Sequence, residues 1–377
     1  MTLVAAQPPQ MRRLRLSTTL TSYVARQFIL RFLTFFLVLV GIIILVSIVD
    51  LLDRMATKDN VGLTVVIEMA FLKLPFLSQE VMPFTVLFAA MATFWRLTRS
   101  NEVVVTRAAG VSVWQFLLPV VAVAVLAAVF SVTVMNPVSS VLLARFEQLK
   151  SRYVKNHTSY LTVSESGLWL RQADPNGQSV IHAQRVAKDS TTLKDVIIFR
   201  LGENDRFEGR IDARQATLQD GFWLIRDAWL SSPGKASVFQ ERVELPTDLT
   251  MENIQESFAP PETISFWSLP SFIQLLESAG FSAQRHKLQL HRLLAMPLLY
   301  AAMVLVAATF SLRPQRRGKV VALILAGVGA GFLLYFLSNF VFALGLSAKI
   351  PVILAGWTPA GVSMMLGIAI LLHLEDG

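Results

Sequence analysis

From Phe32 to Val49 the chain runs 18 residues without a charged side chain. Such a run needs an apolar surrounding on all sides. About 20 mostly apolar residues in a helix cross the roughly 30 Å hydrocarbon layer of a bilayer. Six stretches qualify: Phe28–Val49, Val81–Leu97, Val111–Met135, Leu293–Leu312, Val320–Leu346 and Ile350–Leu372. The first is not a secretory leader, because its core exceeds the roughly 7–15 residues of such segments and no small-residue cleavage pattern follows. Composition agrees, with 16% charged residues where soluble domains carry about 25%. The segment Val61–Glu80 is apolar too, but Glu68, Lys73, Pro75 and Glu80 interrupt it. It reads as an amphipathic helix at the interface before span 2, or as a tilted start of that span.

Lys and Arg in short loops set orientation. Arg12, Arg13, Arg15 and Arg26 precede span 1; Arg96, Arg99 and Arg107 follow span 2; Arg313, Arg316, Arg317 and Lys319 link spans 4 and 5. With six spans all three groups fall on one side, which reads as cytoplasmic, with both termini there. The net charge of +8 thus flanks apolar runs instead of forming a stripe for nucleic acid.

Between spans 3 and 4, from Asn136 to Arg292, the pattern changes to alternation with period two, as in "GLWLRQ", "VIIFRL" and "GFWLIRDAWL". That pattern predicts about eight half-buried strands, with Asn176-Gly177 and Asp220-Gly221 as hairpin turns. A helix over Val138–Tyr153 leaves the membrane, and one over Ser268–Gly280 returns with Gly280 as its C-cap. The expected fold is six membrane helices plus an all-β sandwich or jelly roll on the far side. The division runs 1–137, 138–290 and 291–377.

Chemistry is sparse. There is no phosphate-binding G-x-x-x-x-G-K-[ST], no H-E-x-x-H among the five His residues, no nucleophile elbow and no Cys. Neither an enzyme nor a cofactor or metal site is expected. Asp50, Asp53, Glu68 and Glu80 lie towards the outer ends of their spans, so a proton path through mid-membrane acids is not read. Gly327, Gly329 and Gly331 in span 5 point to close helix packing or a flexible point. The stretch "TRSNEVVVTRAAGVSVW" after span 2 is more ordered than a loop requires.

Three stretches carry a resemblance: "RSNEVVVTRAAGVSVWQ", "SGLWLRQADPNGQSVIHAQRV" and "LPSFIQLLESAGFSAQRHKLQLHRLLAMPL". Together with the order of parts, they resemble the inner-membrane lipopolysaccharide export permeases of Gram-negative bacteria, the LptF/LptG family. The last two look more like the LptG branch. The resemblance implies a periplasmic β-jelly roll between spans 3 and 4. It implies an ABC exporter with an LptF permease, an LptB ATPase dimer and the membrane-anchored LptC, moving lipopolysaccharide. It makes the segment from Arg99 to Gly110 a coupling helix seated on the ATPase, with Arg99, Asn101, Glu102, Arg107, Ala109 and Gly110 as its residues. Glu102 is the expected charged contact, and Ala108, Ala109 and Gly110 permit a sharp return.

The resemblance also has spans 1 and 5 lining the substrate cavity. Phe332, Leu333, Phe336 and Phe340 offer an apolar wall, and Arg54, Lys58, Arg145, Lys150 and Arg152 a basic rim for phosphates. Ser47 stands where a basic residue is expected on span 1. Arg26 and Arg31 lie at the cytoplasmic end and are expected to snorkel. Trp169 and Ile181 are expected on the inner face of the β domain, whose substrate route the resemblance assigns mainly to the LptF subunit. The rival reading is an envelope-sensing or scaffolding membrane protein, which would not bring an ATPase down with it.

Overall fold

The structure, a computed structural model, describes residues 18–55, 62–154, 160–164, 167–174, 177–187, 192–202, 206–247, 259–278, 281–312 and 320–375. The membrane part comprises α1 (Thr18–Met55), α2 (Leu63–Arg99), the short α3 (Glu102–Ala108) and α4 (Val113–Phe130). A π-helical turn (Ser131–Met135) joins α4 to α5 (Asn136–Val154). After the β domain come α6 (Leu269–Ser278), α7 (Gln284–Ser311), α8 (Val320–Leu346) and α9 (Val352–Glu375). Six helices are long and apolar enough to cross a membrane, the third being α4 with its continuation. This is the expected count.

Val61–Glu80 is not a separate interfacial helix. α2 runs unbroken for 37 residues with Pro75 and Pro83 inside it, so the segment is the start of span 2. At 1.5 Å per residue it spans about 55 Å, well beyond the roughly 30 Å hydrocarbon layer. Its overhang packs with α1 and α5 in a small cluster of Leu51, Val66, Met69, Leu143 and Phe146. The helix expected over Val138–Tyr153 is α5.

Small residues let the helices of the second half approach. A Cβ added at Gly356 would lie 2.6 Å from the Cβ of His291 and 3.1 Å from its backbone carbon. One at Gly367 would lie 2.8 Å from the Cβ of Leu305. So α7 and α9 meet at backbone level, the way membrane helices gain packing energy where lipid supplies no hydrophobic drive. In α8, added Cβ atoms at Gly327 and Gly331 would meet Met91 and Leu87 of α2, whereas Gly329 meets nothing. The alternating glycines therefore serve packing at two of three positions.

The β domain is one antiparallel sheet of seven described strands in sequential order. They are β1 (Tyr160–Ser164), β2 (Gly167–Asp174), β3 (Gly177–Val186), β4 (Thr192–Leu201), β5 (Phe207–Gln219), β6 (Phe222–Ser231) and β7 (Val238–Pro246). An eighth strand and jelly-roll crossovers are not among the described pairings, which form a meander. Gly221 adopts φ +86° in the turn between β5 and β6, a conformation Gly enters freely, as the Asp-Gly signal required. Asn176 and Gly280 lie outside the described residues.

The sheet curls over on itself. Trp223 of β6 donates from Nε1 to Gln172 Oε1 of β2 at 3.1 Å, and Thr247 Oγ1 donates to the same atom at 2.8 Å. β2 and β6 are not neighbours, so only curvature brings them together. Leu170, Ile181, Ile198 and Ile211 face one another in register on the inner side, where Leu269, Ile273 and Leu276 of α6 join the core. Trp169 is not on that side. It pairs with His182 on the outer face, their rings 4.3 Å apart. Successive strand residues point to opposite faces, and the one-residue offset from Leu170 decides the matter.

Replacing Gly356 with Val should force α7 and α9 apart. Overpacking of this kind costs about 1–3 kcal/mol, read as a lower Tm of the purified full-length chain in detergent. Gly361 has nothing within 4 Å of an added Cβ, so Gly361→Ala should leave the Tm in place. Equal effects of the two would show that the close contact is not made.

Candidate coupling and substrate sites

The segment after α2 turns twice. Asn101 sits at φ +60°, in the left-handed region that costs most L-residues about 1–2 kcal/mol and that Asn tolerates better. It follows Ser100, the C-cap of α2, and is the N-cap residue of α3. At the other end Gly110 takes φ +84°, and its N–H donates to Arg107 O at 2.9 Å. Ser112 then opens α4 with a reciprocal capping box to Gln115, worth about 1 kcal/mol. The sharp return expected at Ala108, Ala109 and Gly110 is present, with Gly110 as its left-handed corner.

Within α3, Val103 is buried in the core that includes Leu97 and Phe116. Val104 and Val105 are largely exposed, and Arg107 and Ala109 are exposed as well. Sequence reading passed over these valines, although two adjacent apolar residues on a solvent-facing helix are the signal for a docking face. Arg99 lies with its guanidinium 5.4 Å from the centre of the Trp95 ring. Glu102 is half-buried and accepts from Ser100 Oγ at 2.7 Å and from Tyr23 OH at 3.4 Å.

Tyr23 belongs to α1, and the link does not stand alone. Arg96 donates from Nη1 to Gln27 Oε1. Val24 and Phe28 are buried in the same core as Phe94, Leu97 and Val103. The cytoplasmic foot of α1 is thus fastened to α2 and α3. Higher up, one side of α1 is bare: Leu37, Leu45 and Val46 are among the most exposed apolar side chains described. No sequence signal marks Tyr23 or Gln27, since polar residues at a span end are ordinary.

α8 carries a second bare face, with Phe332, Leu333, Phe336 and Phe340 all more than half exposed. The four expected wall residues therefore share one largely exposed side of the helix. Of the expected rim, each described side chain already has an acidic partner. Arg54 donates from Nε to Asp50 Oδ1 at 2.9 Å, Arg145 lies 3.8 Å from Glu68, and Lys150 lies 3.1 Å from Glu147. Exposed pairs of this kind are worth about 0–1 kcal/mol, so an incoming phosphate can displace the carboxylate. Lys73 and Lys150 both lie against the ring of Phe146. Lys58 and the side chain of Arg152 lie outside the described set. Ser47 is buried, so this position points into the chain's own packing and not towards a cavity. Arg26 is exposed, whereas the Nε of Arg31 is buried without a partner.

A short helix after the second of six spans and a β domain between the third and fourth are the parts expected of one family. A family model described as "Lipopolysaccharide export system permease LptF/LptG" matches residues 22–373. The chain belongs to that family. It is similar to the lipopolysaccharide export system permease protein LptG of Escherichia coli, with 23% identity over 299 residues, 77% of this chain and 81% of that protein. It is also similar to the LptG protein of Haemophilus influenzae, with 21% identity over 347 residues, 91% of this chain and 95% of that one. Membership makes this an LptF/LptG permease, a transmembrane component of an ABC exporter whose ATPase is a separate subunit, rather than an envelope sensor.

The corner at Asn101 is open to a direct test. Asn101→Gly should leave the Tm of the full-length chain unchanged, and Asn101→Val, whose branched Cβ is strained at positive φ, should lower it by the equivalent of about 1–2 kcal/mol. A Val variant as stable as the Gly variant would mean that α2 and α3 meet without a left-handed residue.

Proposed function

We propose that the chain is the LptG-type half of an inner-membrane lipopolysaccharide exporter, with its β domain in the periplasm and both termini in the cytoplasm. Its partners are an LptF permease, an LptB ATPase dimer and LptC. The observation that carries this reading is the bare apolar side of α8, together with the exposed side of α1 at Leu37, Leu45 and Val46. Apolar helix faces at membrane depth are covered by lipid or by another membrane protein. A second permease of the same family placed against α1 and α8 would enclose a cavity with apolar walls. The basic rim of Arg54, Lys58, Arg145, Lys150 and Arg152 would stand at its periplasmic mouth for lipid A phosphates, which Arg binds with charge-assisted bonds.

In this reading α3 seats on the ATPase through Val104, Val105, Arg107 and the small corner at Ala109 and Gly110. Arg99 and Asn101 shape the entry to that helix. Glu102 holds α3 to α1 through Tyr23, so a shift of α3 on nucleotide binding tilts the foot of α1. Tilting α1 narrows the cavity and drives the lipid towards the β domains. The three parts 1–137, 138–290 and 291–377 then divide the work into coupling and gate, periplasmic bridge, and second gate.

A photo-crosslinking residue tests this on the assembled transporter. At Phe336 it should capture lipopolysaccharide before ATP is added. At Leu126, an exposed apolar position on α4, it should capture bulk phospholipid instead. Capture of lipopolysaccharide at both positions alike, or at neither, would overturn the assignment of the cavity to the α8 face.

A further inference from the structure

A cavity separate from the bare α1 and α8 faces lies between α2, α7, α8 and α9. At its mouth, Arg292 of α7 donates from Nη2 to Glu80 Oε1 of α2 at 3.0 Å. The guanidinium also lies 5.3 Å from the ring centre of Phe342. Asn339 lines the cavity too. Below these groups the lining is apolar, with Phe84, Leu299 and Met303. The cause of the space is a change in residue size along α8. At Gly327 and Gly331 this helix lies directly on α2. Above them Phe84 props it away, its ring 5.4 Å from that of Phe332 and 5.2 Å from that of Tyr335.

The depth of the cavity fits one leaflet. Glu80 stands 19 residues from the end of α2 at Arg99, and Arg292 stands 19 residues from the end of α7 at Ser311. At 1.5 Å per residue both lie about 28 Å above the loop face, close to the far edge of a hydrocarbon layer of roughly 30 Å. From Arg292 down to Met303 is 11 residues on one helix, about 16 Å, near half the thickness of that layer. The cavity therefore opens at the interface on the β-domain side and ends near mid-membrane.

We propose that this cavity holds one acyl chain of a zwitterionic glycerophospholipid from the leaflet on the β-domain side, its phosphate on Arg292 and its ammonium on Glu80. The polarity profile is that of a single lipid chain under a headgroup. One cation beside one carboxylate complements a headgroup that carries both charges, and it does not favour a purely anionic one. Among the described residues the only hydrogen bond of Arg292 goes to Glu80, so most of its five N–H donors are available to a phosphate. The proposal stands on the membrane-spanning fold and the ion pair, and it is independent of the transport reading.

The test uses the full-length chain in nanodiscs with a phosphatidylethanolamine whose chain carries a diazirine at its middle. Irradiation should label the segment from Ala295 to Met303 at least fivefold more than the same diazirine on phosphatidylglycerol. Excess lipopolysaccharide should not compete. Leu299→Trp, which fills the cavity, should reduce that labelling at least fivefold. Glu80→Gln should bring the two headgroups to within about twofold of each other. Equal labelling by both probes on the unaltered chain, a measurement that needs no variant to fold, would overturn the proposal. Displacement by lipopolysaccharide would overturn it too, and would give the cavity to the substrate.

Discussion

A hydrocarbon interior offers a peptide group no hydrogen-bond partner, and each unsatisfied one costs several kcal/mol. This constraint makes every crossing of the membrane a complete helix, and it decides where irregular backbone is allowed. The left-handed residues of the membrane part, Asn101, Gly110 and Ala348, all fall in the connections between helices. The π-helical turn within a span, Ser131–Met135, takes two hydrogen bonds on its carbonyls from side chains of other segments. Trp267 donates to Thr133 O at 3.1 Å and Gln79 to Ser131 O at 3.4 Å. Trp267 lies on the segment returning from the β domain, so the same bond that satisfies span 3 also ties the β domain to the membrane part.

Packing within the bilayer then follows from size and not from hydrophobicity. α7 and α9 meet through glycine against backbone, and α2 and α8 through glycine against Leu87 and Met91. Among the described residues, α1 and the outer face of α8 have no such glycine contact, with nothing near Gly41 or Gly329. Each leaves an apolar face open to lipid or another subunit, as do Leu126 of α4 and Met365 of α9. α1 is held at its foot by Val24, Phe28, Gln27 and Tyr23, next to the α3 helix that a separate ATPase would meet. In the proposed mechanism α1, held at its foot and packed along one side, passes a movement of α3 up its length as a lever.

Much of this was legible in the sequence because the signals were long-ranged and one-dimensional. Uncharged runs gave six spans, three basic loops gave a common side, and alternation gave the strands. Asn101 and Gly110 were picked out, and both prove to be the corners of α3. The limits are equally physical. A single long helix with two prolines and two acids, α2, looks from its sequence like two elements, because tertiary packing overrides Pro75. Trp169 was put on the wrong face by one residue, which in a strand inverts the side chain. The ion pairs of Arg54, Arg145 and Lys150 were missed because their acids lie on neighbouring turns or on another helix. Glu80 and Arg292 could have been matched by counting equal heights on two helices, but nothing marks such a pair without knowing that α2 and α7 touch.

The lever is tested most directly by distances between spin labels in this Cys-free chain, assembled with its ATPase. One pair, at Ser22 and Val105, reports the foot against α3. The other, at Leu45 and Phe336, reports the two bare faces. On trapping the ATP-bound state, the first distance is expected to stay fixed while the second changes by several ångströms. A foot pair that separates, or a pair of faces that does not move, would contradict the account.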